Sequence, residues 1–209
     1  MCENASKFIV SNLDKTFCNV PTHGFNIIEA SLNEAIRQTM IDANVKYSGK
    51  QFFNDWCTLQ YFIDQDPALE AIFLYRLERQ IFLTESDSII LPYLASMMKR
   101  RTGSELYYST QIGSGFNVQH GFGIVVGPRY QIGDNFTIHQ GVTLGQKNLN
   151  SPNERIIIGN NVTLFANSVV LGNVKIGNNV KLGANSVLLT DAIENGIYVG
   201  APAKLKLII

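Results

Sequence analysis

The residue best suited to acid–base chemistry in this chain is His120, within "QIGSGFNVQHGFGIVVGPRYQIG" at residues 111–133. An imidazole with a pKa of about 6.5 can take a proton from a hydroxyl at neutral pH, and a carboxylate on its other ring nitrogen would fix the tautomer. The chain has two other histidines: His139, and His23, whose surroundings suggest no role. Since an isolated histidine can simply be a surface residue in a turn, the interpretation of His120 depends on the elements around it.

The elements around His120 follow a repeat of six residues. Neither an α-helix nor an isolated strand has this period, whereas a coil of three short strands sends one fixed residue of each wall inward. The pattern therefore predicts stacked coils that bury a continuous aliphatic column. Apart from two interruptions, aliphatic side chains keep this spacing at twelve positions: Ile112, Val118, Val126, Ile132, Ile138, Leu144, Ile158, Leu164, Val170, Ile176, Leu182 and Leu188.

The two interruptions are places where side chains can leave the column. Between Val118 and Val126 the spacing is eight, so two extra residues are accommodated beside His120. Between Leu144 and Ile158 it is fourteen, and we expect the extra residues to form an extruded loop at about 146–156. A bulge re-aims a side chain, and loops on a rigid scaffold often carry binding residues. We interpret the first interruption as the point where His120 turns outward.

The N-terminal half has the period of α-helices instead. In "ALEAIFLYRLERQIFL" the apolar residues fall on one face, and Arg76, Glu78 and Arg79 are expected mostly outside it. Pro67 after Asp66 suits a helix start. "SIILPYLASMMKRR" predicts another helix, which Pro92 bends or starts and which ends in basic residues.

The composition excludes several classes of protein. With 17 basic and 17 acidic residues and a charged fraction of 16%, the chain lacks the basic footprint of a nucleic-acid or membrane-surface binder. We find neither a run of about 20 apolar residues that would span a membrane nor a signal peptide. Irregularly spaced Cys2, Cys18 and Cys57 argue against disulfides and favour the cytoplasm, and three scattered histidines argue against a metal site.

The repeat resembles that of the hexapeptide-repeat acyltransferases, whose coils form a left-handed parallel β-helix. A helical part followed by "TGSELYYSTQIGSGFNVQHGFGIVVG", "FTIHQGVTLG" and "VGAPAK" is similar specifically to the serine O-acetyltransferase branch. The resemblance covers roughly residues 66–205 and is weaker for the helices. It implies an α+β protein, with a helical domain at 1–103 and a left-handed β-helix domain at 104–209.

The resemblance also implies an acetyl-CoA-dependent O-acetyltransferase that needs no metal. His120 matches the catalytic base of the family, and Glu105, fifteen residues earlier in "SELYY", matches the acidic residue that orients the base. Backbone N–H groups near the interruption would stabilise the tetrahedral oxyanion. Gly121 and Gly123 either allow that close approach or only permit the turn.

The positions that bind serine in the family are only partly kept. The family has an aspartate before the base, where this chain has Gln119, and an "RH" pair in the loop, where it has Glu154 and Arg155. A one-residue slip would still let Arg155 pair with a carboxylate. Asp66 in "DQDPA" matches a third serine ligand, although about seventeen residues of the family pattern are missing after it. We therefore expect a sugar hydroxyl as acceptor rather than serine, which stays the alternative.

Other residues can be assigned to ligands only through the resemblance. His139 follows an inward position, so it should point outward, where it could contact acceptor or CoA, bridge to a neighbouring subunit, or be a polar wall residue. Lys204 could meet the CoA phosphates or be a solvated terminal lysine. We assign to acetyl-CoA binding, by similarity around "VGAPAK" and "LGANSV", the residues Gly145, Ala166, Ala184, Ala201 and Lys204.

The family's assembly suggests partners for this chain. Its subunits pack as trimers with acetyl-CoA between adjacent β-helices, so we expect a homotrimer, with a hexamer possible. Serine acetyltransferases often end in a flexible tail whose terminal isoleucine binds the cysteine-forming enzyme. Here Ile209 follows "APAK" after a short "LKLI", so that complex is not expected. A catalytically silent scaffold is a third hypothesis, which the His120–Glu105 pair disfavours.

Overall fold

The computed structural model describes residues 2–17, 20–48, 52–148, 150 and 153–208, without the side chains of residues 2–4 and 23. Cys18, Ile209 and the side chains of Cys2 and His23 therefore lie outside the described part. Within it, the N-terminal half folds into a 3₁₀ turn at Thr22–Gly24 and helices α1 (Cys2–Thr16), α2 (Phe25–Lys46), α3 (Trp56–Gln65), α4 (Pro67–Thr84) and α5 (Leu91–Thr102).

The helix ends are those expected from local sequence. The Asp66 carboxylate accepts a hydrogen bond from the Ala68 N–H at 2.9 Å, and Pro67 occupies the first turn of α4. Pro92 lies in the first turn of α5, so it starts this helix rather than bending it. Gly103 ends α5 in the left-handed conformation, at φ 63°.

The expectation for the charged residues of α4 is wrong. Arg76 is 5% exposed and Glu78 is fully buried, because α4 packs against α2, α3, α5 and the β-domain and keeps little solvent-facing surface. Arg76 reaches the Asp42 carboxylate at 2.7 Å and the carbonyl oxygens of Ile112 and Gly113 at 2.7 and 2.6 Å. This buried ion pair joins the helices to the first coil.

Glu78 is the second buried charge of α4, and it has no compensating partner. Both of its carboxylate oxygens are buried without a hydrogen bond. Burial raises the pKa of Glu78 well above its usual range. The folded state therefore holds a proton on Glu78 that the unfolded chain releases near pH 4.5, so stability falls as pH rises above that value.

We expect Glu78→Met to raise the free energy of unfolding at pH 8 by about 1–3 kcal/mol, the usual cost of an unpaired buried polar group. In urea unfolding, the free energy of unfolding of the wild type should decline between pH 5 and 8, and Glu78→Met should lack this decline. Glu34→Gln is the control, since a hydrogen bond from Arg37 lowers the pKa of Glu34 to about 2. The stability that the Glu34–Arg37 pair contributes is lost only as pH falls below about 4.5. An unchanged decline in Glu78→Met would contradict the assignment.

The C-terminal half is a parallel β-helix whose coils each contribute one strand to three sheets, here called A, B and C. Sheet A contains β1 (Glu105–Leu106), β4 (Val125–Val126), β7 (Thr143–Gly145), β10 (Val169–Leu171) and β13 (Val187–Leu188). Sheet B contains β2 (Gln111–Ile112), β5 (Gln131–Ile132), β8 (Ile156–Ile158) and β11 (Val174–Ile176). Sheet C contains β3 (Asn117–Gln119), β6 (Thr137–His139), β9 (Thr163–Leu164), β12 (Lys181–Leu182), β14 (Gly196–Val199) and the antiparallel β15 (Lys204–Ile208).

The predicted column of aliphatic side chains is confirmed. All twelve predicted positions are buried, none more than 5% exposed. The register explains the period, because each position lies above its counterpart in the next coil, as Ile112 above Ile132 and Ile158. The stretch between Gly145 and Ile156 contains no strand among its described residues, in the place where the loop was expected.

Candidate active site

His120 lies at the turn from sheet C to sheet A of the first coil, here called the C–A corner. Its φ is 65°, in the left-handed region that disfavours most side chains by about 1–2 kcal/mol. Among the described residues, six of the eight non-glycine residues in this region are asparagines, which tolerate it, and only His120 and Arg129 are not. The two extra residues of the sequence pattern thus hold an exposed histidine in a strained turn.

Two contacts hold this corner in place. The buried Ser104 Oγ donates a hydrogen bond to the Gly121 carbonyl oxygen at 2.7 Å. Ala68 at the start of α4 lies so close to Gly121 that an added Cβ would come within 3.2 Å of its side chain. Gly121 has φ 88°, so both its conformation and its contact require glycine.

Glu105 directly follows Ser104 and flanks the corner. Its N–H donates to the Ile124 carbonyl oxygen at 2.8 Å, which aligns β1 with β4. Its carboxylate pairs with Lys99 at 2.7 Å and makes no hydrogen bond to His120 in the described structure. A cavity of about 340 Å³ between α5 and β1 is lined by both Lys99 and Glu105. The orienting role of Glu105 therefore remains a prediction.

Asp66 lies close to the corner because Ala68, two residues later, contacts Gly121. Its carboxylate is already engaged: it accepts hydrogen bonds from the Ala68 N–H and the Tyr47 hydroxyl, and it lies 3.3 Å from Lys46 Nζ. Lys46 is only 9% exposed and also donates to the Val118 carbonyl oxygen at 2.6 Å. Lys46 thus ties α2 and the start of α4 to β3, the strand that precedes His120.

His139 lies in the next coil, on β6, where it is paired in register with Gln119 of β3. The ring centroids of His120 and His139 are 6.3 Å apart. The His139 ring stacks on Phe165 of the following coil, with centroids 5.0 Å apart. Burial, and secondarily the neighbouring His120, lowers the pKa of His139, which keeps the ring neutral at neutral pH.

The small residues assigned to acetyl-CoA lie mostly at the C–A corners of the coils that follow His120 in the chain. Successive C–A corners are joined by backbone hydrogen bonds from Gly141 to Phe122, Asn167 to Gln140 and Asn185 to Ala166, each 2.9 Å. Ala166, Ala184 and Ala201 lie at these corners or next in the stack, and the partly exposed ring of Phe165 lies beside Ala166. Lys204 begins β15 and is exposed.

The other predicted residues lie elsewhere. Gly145 and Arg155 lie at either end of the loop between sheets A and B, so the width of sheet A separates them from His120 within one chain. The Arg155 side chain donates to the Glu154 carbonyl oxygen at 3.0 Å. Gln119 lies beside His120, and its amide donates to Asn117 at 3.0 Å.

Sequence reasoning missed Lys46, Ser104 and Phe165. Ser104 could have been suspected from its position beside Glu105. Lys46 and Phe165 had no signal, because they reach the corner from a distant helix and from a coil 45 residues later. Among the residues described, no group of three or more His, Cys, Asp or Glu side chains could hold a metal ion. Nor does any described helix have both the length and the apolar character needed to cross a bilayer.

Comparison with known proteins identifies the class of this fold. Residues 155–190 match the family model described as bacterial transferase hexapeptide (six repeats). A serine acetyltransferase of Neisseria gonorrhoeae, solved in complex with serine, superposes with a TM-score of 0.74 at 26% identity, over 88% of this chain and 74% of that chain. A serine acetyltransferase solved in complex with CoA has a TM-score of 0.73 at 25% identity, over 87% and 75%. The predicted left-handed hexapeptide β-helix is confirmed.

Sequence relatives define the branch. The serine acetyltransferase of Helicobacter pylori J99 is 34% identical over 138 residues, which are 66% of this chain and 80% of that protein. The serine acetyltransferase of Synechocystis is 37% identical over 143 residues, 66% of this chain. The match spans 55% of the Synechocystis protein, little more than half its length. The chain belongs to the serine acetyltransferase family.

Proposed function

We propose that the protein is an acetyl-CoA-dependent O-acetyltransferase in which His120 is the general base. The observation that carries the proposal is the strained C–A corner, where the Ser104 hydrogen bond and the Ala68 contact hold His120 outward. Strained backbone at such a position is typical of functional sites. Family membership supports the same reaction.

The transfer occurs in two steps at one carbonyl carbon. His120 takes the proton of the acceptor hydroxyl while its oxygen bonds to the thioester carbon, whose carbonyl electrons move to oxygen. The oxyanion then collapses, the carbon–sulfur bond breaks, and the sulfur takes the proton from the His120 imidazolium. The products are an acetyl ester and CoA. In this scheme Glu105 orients the imidazole of His120. To do so, its carboxylate must leave Lys99 and accept a hydrogen bond from His120.

The small side chains at successive C–A corners support the assignment of Ala166, Ala184 and Ala201 to acetyl-CoA. At these three positions a pantetheine arm can approach the backbone closely. Lys204, exposed at the start of β15, would meet the phosphates as a point charge. One relative of the same fold was solved with CoA, which supports CoA as the carrier.

For the acceptor, the comparisons favour L-serine over the sugar hydroxyl that sequence analysis put first. The relatives named above are serine acetyltransferases, and one was solved in complex with serine. A sugar-type acceptor is the second candidate, because the predicted site carboxylates Asp66 and Glu105 are each paired with a lysine. These pairs leave less negative charge to attract the ammonium of an amino acid.

The acceptor can be tested by thiol release from acetyl-CoA with millimolar L-serine or with methyl glycosides. We expect release with serine at least tenfold above the water background. Lys46→Met should strengthen serine binding, since it removes the charge that compensates Asp66. Release with glycosides alone would select the second candidate. If neither acceptor is used and acetyl-CoA does not bind, the enzyme assignment fails and a scaffold role replaces it.

A homotrimer is part of the proposal. Gly145 and Arg155 can join His120 at one site only across a subunit contact, since sheet A separates them within one chain. Such a contact would place Arg155 of one subunit near the acceptor bound by another. A hexamer, a cytoplasmic location and the lack of a complex with a cysteine-forming enzyme remain predictions of the sequence, the last resting on Ile209, outside the described residues.

A further inference from the structure

His139 has the geometry of a second functional imidazole. Its ring centroid lies 6.3 Å from that of His120, and a hydrogen bond spans about 3 Å between heavy atoms. Two oxygen atoms bonded to one carbon can therefore lie between the rings, one within reach of each. Neither nitrogen of the His139 ring has a hydrogen-bond partner in the described structure, while Phe165 fixes the plane of the ring by stacking.

Most of the other donors near this corner are already engaged. Ser104 donates to Gly121, and the Gln119 amide donates to Asn117. Backbone N–H groups near His120 were predicted to stabilise the oxyanion. Among them, the Gly123 N–H donates to the Gly103 carbonyl oxygen at 2.9 Å. The N–H of Phe122 donates to the His120 carbonyl oxygen at 3.3 Å. The N–H of Gly121 makes no hydrogen bond in the described structure, so an oxyanion formed beside His120 can use that group together with a second donor from another coil.

We propose that His139 is a catalytic residue, whose ring N–H donates a hydrogen bond to the thioester carbonyl oxygen as that oxygen becomes negatively charged. This inference rests on the proposed function. As the acceptor oxygen bonds to the thioester carbon and His120 takes its proton, the carbonyl electrons move to the oxygen that His139 contacts. When the carbon–sulfur bond breaks, those electrons return to the carbonyl and the hydrogen bond weakens. His139 gains and loses no proton.

The charge state of His139 agrees with this role. Its pKa is lowered by burial and by the neighbouring His120, so one ring nitrogen keeps a hydrogen and the other does not. A neutral imidazole can stay beside His120 when that ring becomes positively charged, whereas two imidazolium ions would repel each other. The stack on Phe165 pre-orients the donor, which is how oxyanion donors gain most of their effect.

The kinetic test compares two substitutions at His139. His139→Leu removes the donor, and we expect kcat to fall about 10²–10³-fold with the acceptor KM changed less than threefold. His139→Gln places an amide N–H at a similar distance from the backbone, so its kcat should be at least tenfold higher than that of His139→Leu. A kcat within threefold of wild type in His139→Leu, or a loss confined to KM, would overturn the proposal in favour of a wall or binding role.

A second readout does not depend on turnover. S-Acetonyl-CoA carries a ketone in place of the thioester and cannot transfer an acetyl group. In ¹⁵N-histidine-labelled protein, the ring signal of His139 is identified because it is absent from the spectrum of His139→Gln. This signal should shift when the analogue is added. An unmoved His139 signal in the presence of bound analogue would refute the inference even if the enzyme is active. Conversely, a shifted signal with no transfer to any hydroxyl would reject the proposed function and keep His139 as a carbonyl-binding residue.

Discussion

Substitution of His120 by asparagine is expected to lower kcat about 10²–10⁴-fold, the usual contribution of a general base. Asparagine suits the left-handed conformation that His120 adopts at φ 65°, so the variant removes the base without straining the turn. The fold and acetyl-CoA binding should therefore be kept. Thiol release from acetyl-CoA measures the rate, and isothermal titration measures the binding.

Arg129→Asn is the matched control for this experiment. Arg129 also has φ 65° and is the other residue of this conformation, in the described chain, that is neither glycine nor asparagine. It lies at the turn between sheets A and B, away from the C–A corner. Its substitution should leave kcat within twofold of wild type. If His120→Asn kept activity at the same level, His120 would be only a turn residue and the proposed mechanism would fail.

The second large effect is expected at Asp42, whose carboxylate is fully buried with the guanidinium of Arg76. It also accepts the Phe116 N–H at 2.9 Å, at the first turn from sheet B to sheet C. Asp42→Ala would leave Arg76 buried and unpaired, so we expect the free energy of unfolding to fall by about 3–5 kcal/mol. Urea unfolding followed by circular dichroism measures the change.

Two comparisons make the Asp42 result interpretable. The exposed pair Glu34–Arg37 on α2 has side chains 42% and 57% exposed, so Arg37→Ala should change stability by no more than about 1 kcal/mol. The double variant Asp42→Leu/Arg76→Met should regain much of the loss, since apolar residues of similar size can replace a buried ion pair. A loss below about 1 kcal/mol in Asp42→Ala would mean that the pair does not hold the helices to the first coil.

Some features of the fold follow from local sequence alone. An inward side chain recurs at every sixth residue because each wall of a coil has the same length, so the buried positions can be read without knowing which coils are neighbours. Asp66 and Pro67 at the start of α4 act within one turn of helix, and the extra residues beside His120 show as a break in the period. These features were predictable because their causes lie within a few residues of chain.

The sequence by itself therefore determined the β-helix, its column of aliphatic residues, the helix starts and the outward placement of His120. Only the tertiary structure decided the burial of Arg76 and Glu78, the pairing of Lys46 with Asp66, and the stack of Phe165 on His139. The physical reason is that these contacts join residues far apart in the chain. Burial and ion pairing depend on which surfaces the packed helices and stacked coils bring together, and no local pattern records that.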